Sequence, residues 1–142
     1  MSEIAYIALG SNLGERHVYL AHARAAIDAI PECHVIAASA VEETLPLGGF
    51  AQPPYLNQML AVETTLEPAA LLARLQEIEA EAGRVRGTRW DSRTLDLDIV
   101  LFDDRVLHTA ELVIPHPGLP ERAFWQRELT EIREAMRRRV DD

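Results

Sequence analysis

The chain changes hydrophobic period at intervals that mark its elements. Ile4 to Leu9 is almost continuously apolar, as in a buried strand, and Gly10-Ser11-Asn12 follows as a turn signal. Residues 14–30 shift to a helical period, with Val18, Ala21, Ala25 and Ile30 near one face and Pro31 ending the run. Val35 to Val41, reaching toward Thr44, reads as a second strand. Leu45 to Pro54 is dense in Pro and Gly and reads as a loop. Tyr55 to Thr65 predicts a third strand. Glu67-Pro68 opens a second helix that Gly83 closes, with Leu71, Leu72, Leu75 and Ile78 as its stripe.

Thr94 to Phe102 is the last long strand. The order is strand-helix-strand-strand-helix-strand, which predicts an α/β (α+β) ferredoxin-like sandwich: a mostly antiparallel sheet flanked by helices. Val106-Leu107 and Leu112-Val113-Ile114 predict a short strand pair. A C-terminal helix runs from Pro120 to Arg137-Arg138-Arg139, whose charge suits a helix C-terminus. With no repeat and no linker, residues 1–142 are expected to form one domain.

Charge narrows the function. A formal net charge of −9 argues against general nucleic-acid binding. All 14 basic residues are arginine, so a Walker-type P-loop, a protein-kinase phosphate lysine and a Schiff-base mechanism are excluded. The one cysteine, Cys33, allows no internal disulfide and fits a reducing cytoplasm. No apolar run approaches the ~20 residues that cross a bilayer. The opening Met-Ser-Glu-Ile lacks the features of a signal peptide.

The candidate chemistry lies between residues 84 and 98. Arg84, Arg86, Arg89, Trp90 and Arg93 precede Asp96 and Asp98, two acids set one residue apart in a strand. Side chains alternate along a strand, so both carboxylates share a face, with Val100 and Phe102 expected to continue it. Two acids beside several guanidiniums suit a polyphosphate and its divalent metal. Magnesium takes carboxylate and phosphate oxygens, and arginine forks match phosphate geometry.

From about Ile4 to Ile132 the sequence resembles the 6-hydroxymethyl-7,8-dihydropterin pyrophosphokinase family of folate biosynthesis. The resemblance rests on Tyr6-Ile-Ala-Leu-Gly-Ser-Asn-Leu13, Pro46-Leu-Gly48, Tyr55-Leu-Asn57, Gly83-Arg-Val-Arg86, Arg93-Thr-Leu-Asp-Leu-Asp-Ile99 and Ile114-Pro-His116. Each is weak alone; their order and spacing together are specific. The resemblance implies a ferredoxin-like fold. It also implies transfer of the β,γ-diphosphate of ATP to the pterin hydroxymethyl group, leaving AMP, with two Mg2+ ions and a monomeric enzyme. Small molecules are the expected partners, with no nucleic acid and no membrane.

Residue roles follow from that resemblance. Asp96 and Asp98 are expected to hold the magnesium ions, and Arg84 and Arg93 to be catalytic. Gln76, Arg86, Arg89, Ile99, His116 and Arg122 correspond to nucleotide contacts, with Glu79 near them. Thr44, Leu47, Tyr55, Asn57, Trp90 and Phe124 correspond to the pterin site, where Tyr55 and Phe124 flank the ring and Asn57 bonds its polar edge. The loops at 45–54 and 84–93 are expected to close over substrates.

The chain departs from the family pattern in several places. Asp91-Ser92 stands where Gly-Pro is usual, and the loop from Arg86 to Trp90 is about one residue shorter. Leu45 and Glu128 replace frequent prolines, Glu111 occupies a position basic in some members, and the chain ends early. Two alternatives therefore stay open: a non-catalytic pterin- or nucleotide-binding paralogue, and an Asp-x-Asp nucleotidyltransferase.

Overall fold

A computed structural model describes residues 1–12, 14–44, 54–83 and 95–141 of the chain. The elements are β1 (Glu3–Ser11), α1 (Arg16–Asp28), β2 (Cys33–Ala38), β3 (Glu42–Thr44), β4 (Tyr55–Thr64), α2 (Pro68–Gly83), β5 (Asp96–Phe102), β6 (Leu107–His108), β7 (Val113–Ile114) and α3 (Ala123–Asp141). A single 3-10 turn, Leu119–Glu121, leads into α3. The main sheet runs β2-β4-β1-β5 with every pairing antiparallel, and β3 also pairs with β4. This is the expected ferredoxin-like order.

Strand alternation sorts the sheet into two cores. Ala5, Ile7 and Leu9 of β1, Leu56, Leu60 and Val62 of β4, and Leu97 and Ile99 of β5 face α1 and α2. Tyr6 and Ala8, Met59 and Ala61, and Val100 face the other way, beneath Trp125, Leu129 and Ile132 of α3. The C-terminal helix thus covers a face that a bare βαββαβ unit leaves open. Each large apolar side chain buried there contributes ~1.5–3 kcal/mol.

Three local readings are corrected. In α1 the buried stripe is Leu20, Ala23 and Ile27, whereas Val18 is 60% exposed. Alanines populate several faces of that helix, so the stripe is fixed by the two large residues, Leu20 and Ile27, that must leave water. The predicted second strand is divided: Ser39 takes the Met59 amide on its hydroxyl, and the chain re-enters the sheet as β3. Phe102 does not share the face of Asp96 and Asp98. The β1–β5 register shifts between Tyr6 and Ile7, leaving Val100 as the extra residue, and Phe102 returns to the core with Leu97 and Ile99.

Candidate active site

Two cross-strand rows organise the face that β1, β4 and β5 share with α3. Asn57, Gly10 and Asp96 are register partners in one row, and Met59, Ala8 and Asp98 in the next. Partners across antiparallel strands point to the same side, so Asp96, Asp98 and Asn57 look out over one surface. The central strand contributes only a hydrogen and a methyl group between them. Because strands lie ~4.8 Å apart, the backbones that carry the acidic pair and the amide stand roughly 10 Å apart, with a trough at Gly10 that the Asn57 side chain borders. Gly10 lies inside β1, not in a turn as its sequence context suggested.

Asp98 has a close neighbour. Nε2 of His116 lies 3.7 Å from its Oδ1. The His116 amide donates to the carbonyl of Val100 at 2.9 Å, which docks the segment after β7 onto β5. The Gly118 amide donates to Nδ1 of His116 at 2.9 Å, so the ring must carry its proton on Nε2, toward Asp98. The ring also stands edge-on to Trp125, with centroids 4.9 Å apart, and the Arg122 guanidinium lies 4.6 Å over the same indole. Buried Trp125 is therefore a shelf for both His116 and Arg122, a part that sequence reasoning missed. Its four- and seven-residue spacing from Leu129 and Ile132 is that of a plain core stripe and gives no hint of this role.

Gly118 has a steric reason to be glycine. A Cβ there would fall 1.5 Å from Nη1 of Arg122. Behind the acidic strand, Glu79 of α2 accepts the Leu97 amide at 2.7 Å, fixing the backbone between the two aspartates. Glu79 thus acts on β5 from the opposite side of the sheet.

The second cluster lies across the trough. Asn57 is buried, and its Nδ2 donates to Oγ1 of Thr44, the register partner of Tyr55. Arg16 of α1 ties the two strands at their ends, donating from Nη1 to Glu43 at 3.1 Å and to the Pro54 carbonyl at 2.7 Å. Phe124 is half-buried at the start of α3, 6.2 Å between ring centroids from Trp125.

The described residues therefore gather Asp96, Asp98, His116 and Arg122 on one side and Thr44, Tyr55 and Asn57 on the other. Two expected nucleotide contacts do not present their side chains on that face. Gln76 is exposed on α2, which packs against the opposite face of the sheet, and the Ile99 side chain is buried in the helix-side core. Leu47, Arg84, Arg86, Arg89, Trp90 and Arg93 lie outside the described residues, as do Leu45, Asp91 and Ser92.

Oxygen ligands at Asp96 and Asp98 suit a hard dication. Among the described residues no group of three or more His, Cys, Asp or Glu forms a metal cage. Among the described residues no helix is long and apolar enough to cross a membrane.

Sheet order and strand direction define a protein of the ferredoxin-like class with an acidic pair on one sheet face. Residues 6–134 match the family model described as 7,8-dihydro-6-hydroxymethylpterin-pyrophosphokinase, and the chain belongs to that family. It is 44% identical over 132 residues to the 2-amino-4-hydroxy-6-hydroxymethyldihydropteridine pyrophosphokinase of Bacillus subtilis, covering 93% of this chain and 79% of that one. The enzyme of the same description from Pseudomonas aeruginosa is 44% identical over 124 residues, covering 87% and 76%. Among solved structures, an HPPK-DHPS crystal structure in complex with substrates superposes with a TM-score of 0.63 at 14% identity. That match covers 86% of this chain and 38% of the other, and shows the shared fold alone.

Proposed function

We propose that this protein transfers the β,γ-diphosphate of ATP to the hydroxymethyl group of 6-hydroxymethyl-7,8-dihydropterin in folate biosynthesis. The observation that carries this reading is the sheet face at Gly10, with a dication-type acid pair on one flanking strand and a buried amide on the other. Relatives at 44% identity over most of the chain bear the same activity in their names.

In the reaction, the hydroxymethyl oxygen attacks the β-phosphorus. The bond from that phosphorus to the α,β-bridging oxygen breaks, AMP departs, and the hydroxyl proton is released. Two magnesium ions at Asp96 and Asp98 would supply charge neutralisation at the phosphate oxygens. Arg84 and Arg93 are assigned to the charge that builds during transfer, and Arg86, Arg89, Arg122 and Gln76 to holding the nucleotide. Ile99 has only its main chain to offer, because its side chain is buried. The Nε2 proton of His116 is positioned to donate to a phosphate oxygen near Asp98.

On the pterin side, Asn57 is assigned to the polar edge of the ring and Tyr55 and Phe124 to its faces. Thr44 accepts a hydrogen bond from the Asn57 amide, and Leu47 and Trp90 are assigned to the same substrate. No base is required, since alignment and charge stabilisation govern in-line transfer. The enzyme works as a monomer in the cytoplasm, as one domain over residues 1–142, with small molecules as its partners and neither nucleic acid nor membrane.

Incubation with ATP, magnesium and the dihydropterin should give AMP and the pterin diphosphate in equal amounts. Formation of ADP, release of pyrophosphate, or tight binding without turnover would each overturn this assignment.

A further inference from the structure

Among the described side chains of α3, Glu128 is the one carboxylate turned into the molecule. It is 2% exposed, and neither carboxyl oxygen has a hydrogen-bond donor among the described residues. Glu42 on β3 shares the α3 face of the sheet with its register partner Asn57, and Arg127, the chain neighbour of Glu128, grips its carboxylate through Nη2 at 2.9 Å. Beside the half-exposed, arginine-paired charge of Glu42, the buried Glu128 carboxyl is favoured in its neutral form and can donate its proton to Glu42, because adjacent negative charges repel strongly where water is excluded.

Burial first, and the Glu42 charge second, push the Glu128 carboxyl up to about 9. Burial would raise Glu42 too, but the neighbouring Glu128 carboxyl and the Arg127 guanidinium hold it below the ordinary carboxylate range. Glu128 is thus the acid and Glu42 the acceptor. The other charged group beside the pair is Glu131 of α3, which accepts the Ala40 amide at 2.9 Å. The strands beneath α3 present Ile36, Ala37, Met59 and Ala61, all apolar.

The pair joins two parts of the pterin wall. Glu42 is the register partner of Asn57, two residues before Thr44. Glu128 lies one helical turn beyond Phe124 on α3, so both project from one side of that helix. We propose that Glu42 and Glu128 are a proton-sharing positioning pair that holds α3, and with it Phe124, at a fixed distance above Thr44 and Asn57. This rests on the pyrophosphokinase reading for the identity of the substrate. It makes Glu128 a determinant of pterin affinity, not a catalytic residue.

The test uses the full chain, with initial rates of AMP formation measured from about pH 7 to about pH 10. Near pH 7, Glu128→Gln should keep the pterin KM within about twofold of the parent, because a carboxamide donates the same hydrogen bond. At the upper end the parent's pterin KM should rise about fivefold or more while its ATP KM stays level, and the Gln variant should lack that rise. Ionisation of the pterin itself would move both proteins alike, so the difference between them is the readout.

Glu128→Ala should raise the pterin KM already near pH 7; should it fail to fold, the Gln comparison stands alone. Identical pH profiles for the parent and Glu128→Gln would overturn the proposal. So would a folded Glu128→Ala whose pterin KM is unchanged. If the parent makes no pterin diphosphate at any pH, the functional reading fails instead. The pair would then still be tested by urea unfolding, where the parent's stability should fall toward pH 9 and the Gln variant's should not.

Discussion

Nε2 of His116 points at Asp98 because the other ring nitrogen is already taken by the Gly118 amide. Gly118 has two duties here: its N–H sets the tautomer of His116, and its missing side chain leaves room for Arg122. A methyl group at 118 cannot coexist with the present position of the Arg122 guanidinium, so the arginine must shift over the Trp125 shelf. Gly118→Ala should therefore raise the ATP KM about three- to tenfold, the loss of roughly one charge-assisted contact, with the pterin KM nearly unchanged. His116→Ala should act in the same direction. Equal effects on both substrates in steady-state kinetics would argue against a nucleotide-side role.

Asp96→Ala and Asp98→Ala should each lower turnover by about a thousandfold or more, because hard-cation sites rely on every carboxylate. Asp98→Asn is the finer test, since it keeps the shape beside His116 and removes the charge. It should need far more magnesium for half-maximal rate. A magnesium titration that superposes on the parent's would show that Asp98 is not a metal ligand.

Much of this architecture is legible in the amino-acid sequence. The βαββαβ order, the C-terminal helix and the shared face of Asp96 and Asp98 follow from hydrophobic period and strand alternation, both local properties. What is not legible depends on contacts distant in sequence. The phase of the α1 stripe is set by which residues meet the sheet, and alanines do not reveal it. The reversal of Phe102 needs the bulge opposite Tyr6 and Ile7. Trp125 reads as core because its partners, His116 and Arg122, precede the helix. Gly10 reads as a turn residue, although glycine within a strand pattern also signals close approach of a ligand or another group. Glu128 stands out only as a departure from the family pattern, and its partner Glu42 lies on a strand that periodicity merges with its neighbour.

Stability should fall as pH rises, in a window set by Glu128. Its folded value of about 9 lies above the ordinary 4.5, so between those values the folded protein holds a proton that the unfolded chain has released. Raising pH then favours unfolding, by at most about 1.4 kcal/mol per pH unit, and the dependence flattens above the folded value. Glu42, held low, contributes the opposite sign only on the acid side of the window. Urea denaturation of the parent and Glu128→Gln at several pH values checks this. A parent whose stability is level from pH 6 to pH 9 would refute the buried acid.

The trough makes a sharper demand on Gly10, because there stability and function should move in opposite directions. A Cβ at this position would lie 3.3 Å from Oδ1 of Asn57 and 3.6 Å from Cδ1 of Tyr55, tight but not impossible. Folding itself should tolerate Gly10→Ala, and even gain up to about 0.5–1 kcal/mol, since alanine loses less backbone entropy than glycine in a strand. The pterin should not tolerate it equally well, because the added methyl group occupies the floor between the amide and the acids. Gly10→Ala is expected to raise the pterin KM about three- to tenfold, and Gly10→Val by more than that, with thermal unfolding of the alanine variant unshifted or slightly higher. If Gly10→Val binds the pterin as the parent does in calorimetry, the substrate does not lie over β1. The row from Asn57 to Asp96 would then have no part in bringing the alcohol to the phosphate.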